Sequence, residues 1–165
     1  MSESLDQLQA ALSLDPLSSI INTNYGVLLM QNRRFPEAMA QFQKVVDRDP
    51  NFAPVHYSRS HLYATMGRFP EAVRDFRQQF VKPISVSEDA RGYLKLAMAA
   101  ESTDPASVAV AAAVNGNYDL AFEYLEKAYA AGDGELEVVI RFPALDPLRS
   151  DPRYADLMRR VGLPQ

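Results

Sequence analysis

The chain has 165 residues, of which 47% are hydrophobic and 23% are charged, a composition typical of a globular protein with one buried core. It contains no cysteine, which excludes disulfides, thiolate metal ligands and a cysteine nucleophile. The net charge is −4, and the chain lacks the concentrated stripe of Lys and Arg that phosphate binding requires. We therefore expect no nucleic-acid partner.

The N-terminal segment lacks the pattern of a signal peptide, because it carries acidic residues where basic ones are needed and has no continuous apolar centre. The longest apolar stretch, at about 94–114, is interrupted by ESTDP and falls short of the roughly 20 apolar residues that a membrane span needs. These features predict a cytoplasmic protein that does not insert into a membrane.

One hexapeptide occurs twice. RRFPEA at 33–38 returns as GRFPEA at 67–72, a displacement of 34 residues (67 − 33). Leu8, Phe42 and Phe76 fall in the same register. A fixed period of roughly 20–50 residues is typical of arrays in which each helical unit buries its apolar face against its neighbours.

The chain is expected to begin with half a unit. Residues 1–16 align with the second helix of the repeating unit and not with the first. Either this helix is a specialised cap, or the chain is a piece of a longer protein.

Residues 17–50 predict a helix, a turn and a second helix. Apolar residues recur at helical spacing on both sides of an interruption at 31–35. Pro36 stands near the start of the second helix, where a proline is tolerated, and Asp49-Pro50 ends that helix. Residues 51–84 repeat this pattern.

These two units resemble the tetratricopeptide repeat (TPR). The residues that carry the resemblance are Gly26, Ala38, Phe42 and Pro50 in the first unit and Tyr63, Gly67, Ala72 and Phe76 in the second. The first unit departs from the family pattern at Asn22 and Tyr25, and the second has Ser60 at the small-residue position. The resemblance implies an all-α fold, a right-handed α-solenoid of helix-turn-helix repeats that fills 1–165 as a single domain.

A third, degenerate pair is predicted at 104–132. Its Ala121 lies 49 residues after Ala72 (121 − 72), which leaves a surplus of 15 residues over the period of 34. The surplus fits an extra helix within 85–103, for which Ser87 is the expected N-cap. This helix is either a worn repeat or a brace across the array.

Residues 133–165 are expected to close the array as a C-terminal cap. Asp146-Pro147 and Asp151-Pro152 each place a capping carboxylate before a proline, which predicts a short turn and a final helix at 152–161. The segment is similar to the closing part of TPR regions at the C-terminal ends of larger bacterial signalling and regulatory proteins. That similarity implies an interaction or regulatory role.

No stretch of the sequence predicts catalysis, a metal site or a cofactor. His56 and His61 are five residues apart, which separates them by about 140° around a helix, whereas a metal pair needs a spacing of three or four. One packing histidine and one groove-facing histidine are the expected arrangement. An active site built from His61, Tyr57 and nearby acids is the enzymatic alternative, and we expect no turnover from it.

The resemblance also implies a concave groove lined by the first helix of each unit. The residues expected to line it are Thr23, Asn24, Val27 and Gln31 from the first unit and Tyr57, Ser58, His61 and Thr65 from the second. We expect a non-catalytic module that binds a protein or peptide there. Alternatively, the chain self-associates, with a homodimer as one form, or regulates a larger signalling protein from within the same chain.

Overall fold

Helices form every regular element in the part of the chain that the structure describes. The computed structural model describes residues 2–79, 84–99 and 104–163. The α-helices are α1 (Ser2–Leu14), α2 (Ser19–Gln31), α3 (Phe35–Arg48), α4 (Ala53–Thr65), α5 (Phe69–Phe76), α6 (Ala90–Ala99), α7 (Pro105–Val114), α8 (Tyr118–Ala131), α9 (Leu136–Val139) and α10 (Pro152–Val161). Short 3₁₀ helices lie at Arg77–Gln79 and Pro143–Leu148, and no β-strand occurs in these ranges.

The helices stack in pairs to form a TPR-like solenoid. α2 packs against α3, α4 against α5, and α7 against α8, while α1 packs against the open side of α2. α6 lies between α5 and α7. The predicted all-α solenoid is therefore confirmed.

The turn inside each of the three pairs closes in the same way. The residue in the left-handed conformation donates its backbone N–H to the carbonyl three residues back, and the next residue donates to the carbonyl five residues back. This pairing is the hydrogen-bond pattern of a helix C-terminal turn. The left-handed residue is Gly67 (φ 72°) in the second pair and Gly116 (φ 72°) in the third, but it is Arg33 (φ 60°) in the first.

Close helix packing explains the small and aromatic residues of the repeat. A Cβ atom added at Gly26 would overlap the side chain of Phe42, whose ring is fully buried. Ser60 and Phe76 occupy the same places in the second unit, and both are also fully buried. The predicted packing role of these residues is confirmed.

A buried polar pair recurs with the 34-residue period. In the first unit Asn22 donates to the carbonyl of Pro16 at 3.0 Å and accepts from the Gln41 amide at 2.6 Å. In the second unit His56 and Asp75 take these places, with 3.2 Å between Nδ1 and Oδ1. All four of these side chains are buried, so each unit satisfies its own polar groups across its helix pair.

The extra helix begins later than the sequence predicts. Asp89 caps α6, since its Oδ1 accepts from the backbone N–H of Gly92 at 2.8 Å. Ser87, the predicted cap, instead donates its hydroxyl to the Asp89 carboxylate at 2.7 Å. Residues 100–103 of that predicted segment lie outside the described residues.

The C-terminal part of the chain folds back over the helix pairs. Residues 135–148, which we call the return segment, contact α4 and α7. Its buried apolar side chains are Leu136, Val139, Ile140, Phe142, Leu145 and Leu148. The final helix α10 follows, and the Asp151 carboxylate accepts from the N–H of Arg153 as its cap.

The described helices were also compared with the length and hydropathy of a membrane span. None of the helices in residues 2–79, 84–99 and 104–163 is long and apolar enough to cross a membrane.

Candidate partner-binding groove

An open groove of about 530 Å³ lies between α2, α4 and the return segment. The two first helices of neighbouring units form its sides, and the return segment forms its end wall. Of the eight residues predicted to line a groove, six do so: Thr23, Asn24, Val27, Gln31, Tyr57 and Ser58.

These six residues differ in how much surface they offer. Asn24 is exposed, while Val27, Gln31 and Tyr57 are partly buried. Thr23 is 2% exposed, and its hydroxyl is occupied by a hydrogen bond of 2.8 Å to the Ser19 carbonyl. The surface open to a partner is therefore concentrated on the side chains that are not packed away.

His61 does not face the groove, and the expectation that it would is corrected by its burial. Its side chain is fully buried because Ser107 of α7 and Phe142 of the return segment cover it. The ring centroids of His61 and Phe142 are 5.5 Å apart. Thr65 lies beside a separate depression near the α4–α5 turn, where its hydroxyl donates to the His61 carbonyl at 2.8 Å.

A chain of hydrogen bonds connects the buried histidine to the groove. The Tyr93 hydroxyl lies 2.8 Å from Nδ1 of His61, and Ser107 Oγ lies 3.0 Å from Nε2. Ser107 donates to the Tyr57 hydroxyl at 3.0 Å, which in turn donates to Asp104 at 3.4 Å. With Tyr93 as donor to Nδ1, a neutral His61 carries its proton on Nε2 and donates it to Ser107.

Burial determines the electrostatics of this chain. It lowers the pKa of His61 to about 3, which keeps the ring neutral near pH 7. Burial, followed by the Asp104 charge, raises the pKa of Tyr57 well above its usual value. Ser107 and His61 have the residue types of a nucleophile and its base, but both are fully buried, so the pair fixes the Tyr57 hydroxyl in place and does not meet substrate.

The return segment is attached to the first unit by two polar contacts. Gln31 Nε2 donates to the Val138 carbonyl at 3.0 Å, and Arg33 Nη2 lies 2.6 Å from Asp146 Oδ2. These partners are separated by 107 and 113 residues. Sequence analysis predicted a cap in this region and missed the groove wall, because such distant contacts leave no mark on a period of 34.

Charged residues stand on the return-segment side of the groove. Glu135 and Glu137 are exposed, and so is Arg141. The pKa of the Glu135 carboxyl is raised, first by burial and then by the negative charges of Asp104 and Asp133.

The described residues provide no cluster of three or more His, Cys, Asp or Glu side chains that could hold a metal ion. His56 and His61 do not share a site. His56 bonds to Asp75 between α4 and α5, whereas His61 bonds to Tyr93 and Ser107.

Residues 2–51, which contain α1, α2 and α3, match the family model of the tetratricopeptide repeat. The chain is a tetratricopeptide repeat protein. Proteins built from such repeats are generally protein-interaction modules and typically non-catalytic scaffolds. No curated protein matches the chain significantly.

Proposed function

We propose that this TPR protein is a non-catalytic interaction module that binds a peptide segment of a partner protein in the groove between α2, α4 and the return segment. The observation that carries the proposal is the open groove of about 530 Å³ on the first helices of two neighbouring repeats. Stacked repeats use such concave surfaces to bind extended partners.

The side chains of the groove suit the recognition of a peptide. The exposed Asn24 carries an amide that both donates and accepts, as a peptide backbone does. The Tyr57 hydroxyl is held at the groove by Ser107 and Asp104, so little side-chain entropy is lost when it forms a further contact. Val27 provides an apolar surface between them.

The proposed site is narrower than the one predicted from the sequence. His61 and Thr65 act behind the groove, where His61 supports Tyr57 through Ser107. The proposal excludes an enzyme because the Ser107–His61 pair lies in the core. We place the encounter with the partner in the cytoplasm, on the strength of the N-terminal composition.

Selection from a random peptide library, followed by affinity measurement of the selected peptides, tests the proposal. Asn24→Trp fills the groove with a large side chain at an exposed helical position. Ala40→Trp is the matched control, since Ala40 is exposed on α3 and does not line the groove. Circular dichroism verifies that both variants fold.

We expect Asn24→Trp to weaken binding of the selected peptides by about tenfold or more, since about 1.4 kcal/mol of lost binding energy suffices for this change. Ala40→Trp should bind as the wild type does. Equal binding by all three proteins would place the site elsewhere, and a library that yields no binder would refute the proposal.

Self-association is the second candidate, and one apolar patch favours it. Leu14, Leu17 and Ile20 are 88%, 70% and 49% exposed at the corner between α1 and α2. The positions 34 residues after Leu14 and Leu17 hold Arg48 and Asn51, so the repeat itself does not require apolar residues there. Light scattering should show a dimer that Leu14→Ser/Leu17→Ser dissociates, and a wild-type monomer at high micromolar concentration would refute this candidate.

A further inference from the structure

The groove has an unequal distribution of charge. Two carboxylates line it, Glu135 and Glu137, against the single cation Arg141 among the described lining residues. A third carboxylate, Asp104, lies 3.4 Å from the Tyr57 hydroxyl that faces the groove.

Neither lining glutamate forms an ion pair with a described residue. The nearest cation of the first unit, Arg33, is paired with Asp146. Arg141 influences the pKa of Tyr154, on α10, whereas the pKa of Tyr57 responds to Asp104 and Glu135. The Tyr57 end of the groove is therefore negative, without a described cation of its own to neutralise it.

The apolar part of the groove lies beside these carboxylates. Val27 and Leu28 of α2 line one side, and Pro54 of α4 lines the other. Lys and Arg side chains pack their methylene stems along apolar surface while the charged head remains with solvent or a counter-ion. A groove with an apolar floor and carboxylates at its rim is complementary to both parts of such a side chain.

We propose that the partner segment bound in this groove is basic, with at least one Lys or Arg that lays its stem on Val27 and its charged head against Glu135 and Glu137. The inference rests on the proposed function, because it specifies the chemistry of the peptide that the same groove binds. Acidic peptides are excluded by the same charges, so the rim determines specificity as well as attraction.

The test selects peptides from a random library against three proteins and compares the composition of the binders. The proteins are the wild type, Glu135→Gln/Glu137→Gln and the control Glu123→Gln/Glu126→Gln. The control makes the same change of net charge on exposed residues of α8, away from the groove. It therefore separates recognition at the rim from general attraction to a negatively charged protein.

We expect wild type and control to enrich peptides rich in Lys and Arg, and the rim variant to lose that enrichment. Replacing the lysines of the best peptide by glutamine should weaken binding to wild type by about three- to tenfold at low salt, the range for charge pairs at a solvated rim. High salt should reduce this difference, because exposed charges are screened. Glu135→Lys/Glu137→Lys should instead enrich acidic peptides.

Three other outcomes would overturn the inference. Selected peptides without basic enrichment that still lose binding with Asn24→Trp would refute the basic partner and leave the groove function standing. Basic enrichment that the rim variant retains would show that other charges attract these peptides. A library with no binder at all would refute both the inference and the proposed function.

Discussion

Arg33 forms an ion pair with Asp146, which lies 113 residues further along the chain, and it does so from a left-handed backbone conformation with φ of 60°. The equivalent turns of the other two pairs have glycine at this position. A non-glycine residue is strained there because its Cβ crowds the backbone. The first repeat thus carries local strain at the residue that holds the return segment.

Arg33→Gly and Arg33→Ala separate the strain from the ion pair. Both variants lose the contact with Asp146, but only glycine relieves the left-handed conformation. We expect Arg33→Gly to be more stable than Arg33→Ala by about 1 kcal/mol in urea unfolding. Equal stability of the two variants would contradict the strain at this position.

Gly26→Ala should destabilise the first repeat by about 1–3 kcal/mol, because the added methyl overlaps the buried ring of Phe42. This loss exceeds the gain in helix propensity, which is about 1 kcal/mol. Gly134→Ala is the control, since a Cβ there meets no atom within 4 Å. Thermal unfolding of both variants measures the effect, and a Gly26→Ala protein as stable as the wild type would show that the helices separate at little cost.

The recurring polar pair makes a prediction that compares two repeats. Asp75→Ala leaves Arg59 buried without the carboxylate that accepts its hydrogen bonds at 2.6 and 2.9 Å. We expect a loss of about 3–5 kcal/mol, because breaking a buried ion pair leaves an uncompensated charge. Gln41→Ala removes a neutral partner from Asn22 and should cost about 1–3 kcal/mol. A Gln41→Ala protein less stable than Asp75→Ala would contradict this ranking.

His61 makes stability depend on pH in a defined direction. Its pKa is about 3 in the folded protein, against 6.5 for a free histidine. Between these values the unfolded chain binds the proton more readily, so stability falls as pH is lowered from about 6.5 towards 3, by at most about 1.4 kcal/mol per pH unit. NMR of the folded protein should show a neutral His61 ring at pH 5, and a ring that titrates near 6.5 would contradict its burial.

Sequence reasoning predicted the features that depend on the repeat. Gly26 and Phe42 recur as Ser60 and Phe76 because each helix pair meets the same surroundings. The residue types at these positions are therefore visible in a single sequence as a period.

The position of a helix cap was harder to predict. Ser87 and Asp89 are both good capping residues, and the choice between them depends on where the chain leaves the preceding loop. The close approach of the Ser87 carbonyl to Gly92 determines that point, and it is a tertiary feature.

The return segment and the burial of His61 could not be predicted from the period. Phe142 covers His61 from 81 positions away (142 − 61), outside the repeating units. A side chain that the repeat alone would expose is thereby enclosed by a segment that occurs once in the chain. The groove was predicted, but its end wall and its rim charges were not.

The central claim is that a peptide binds between α2, α4 and the return segment. The most direct measurement is an NMR titration of the isotope-labelled protein with a peptide selected from the library. The account predicts that the backbone amide signals of Asn24, Tyr57 and Val138 shift on binding. Shifts confined to α3, α5 and α8, on the other side of the helix pairs, would contradict it.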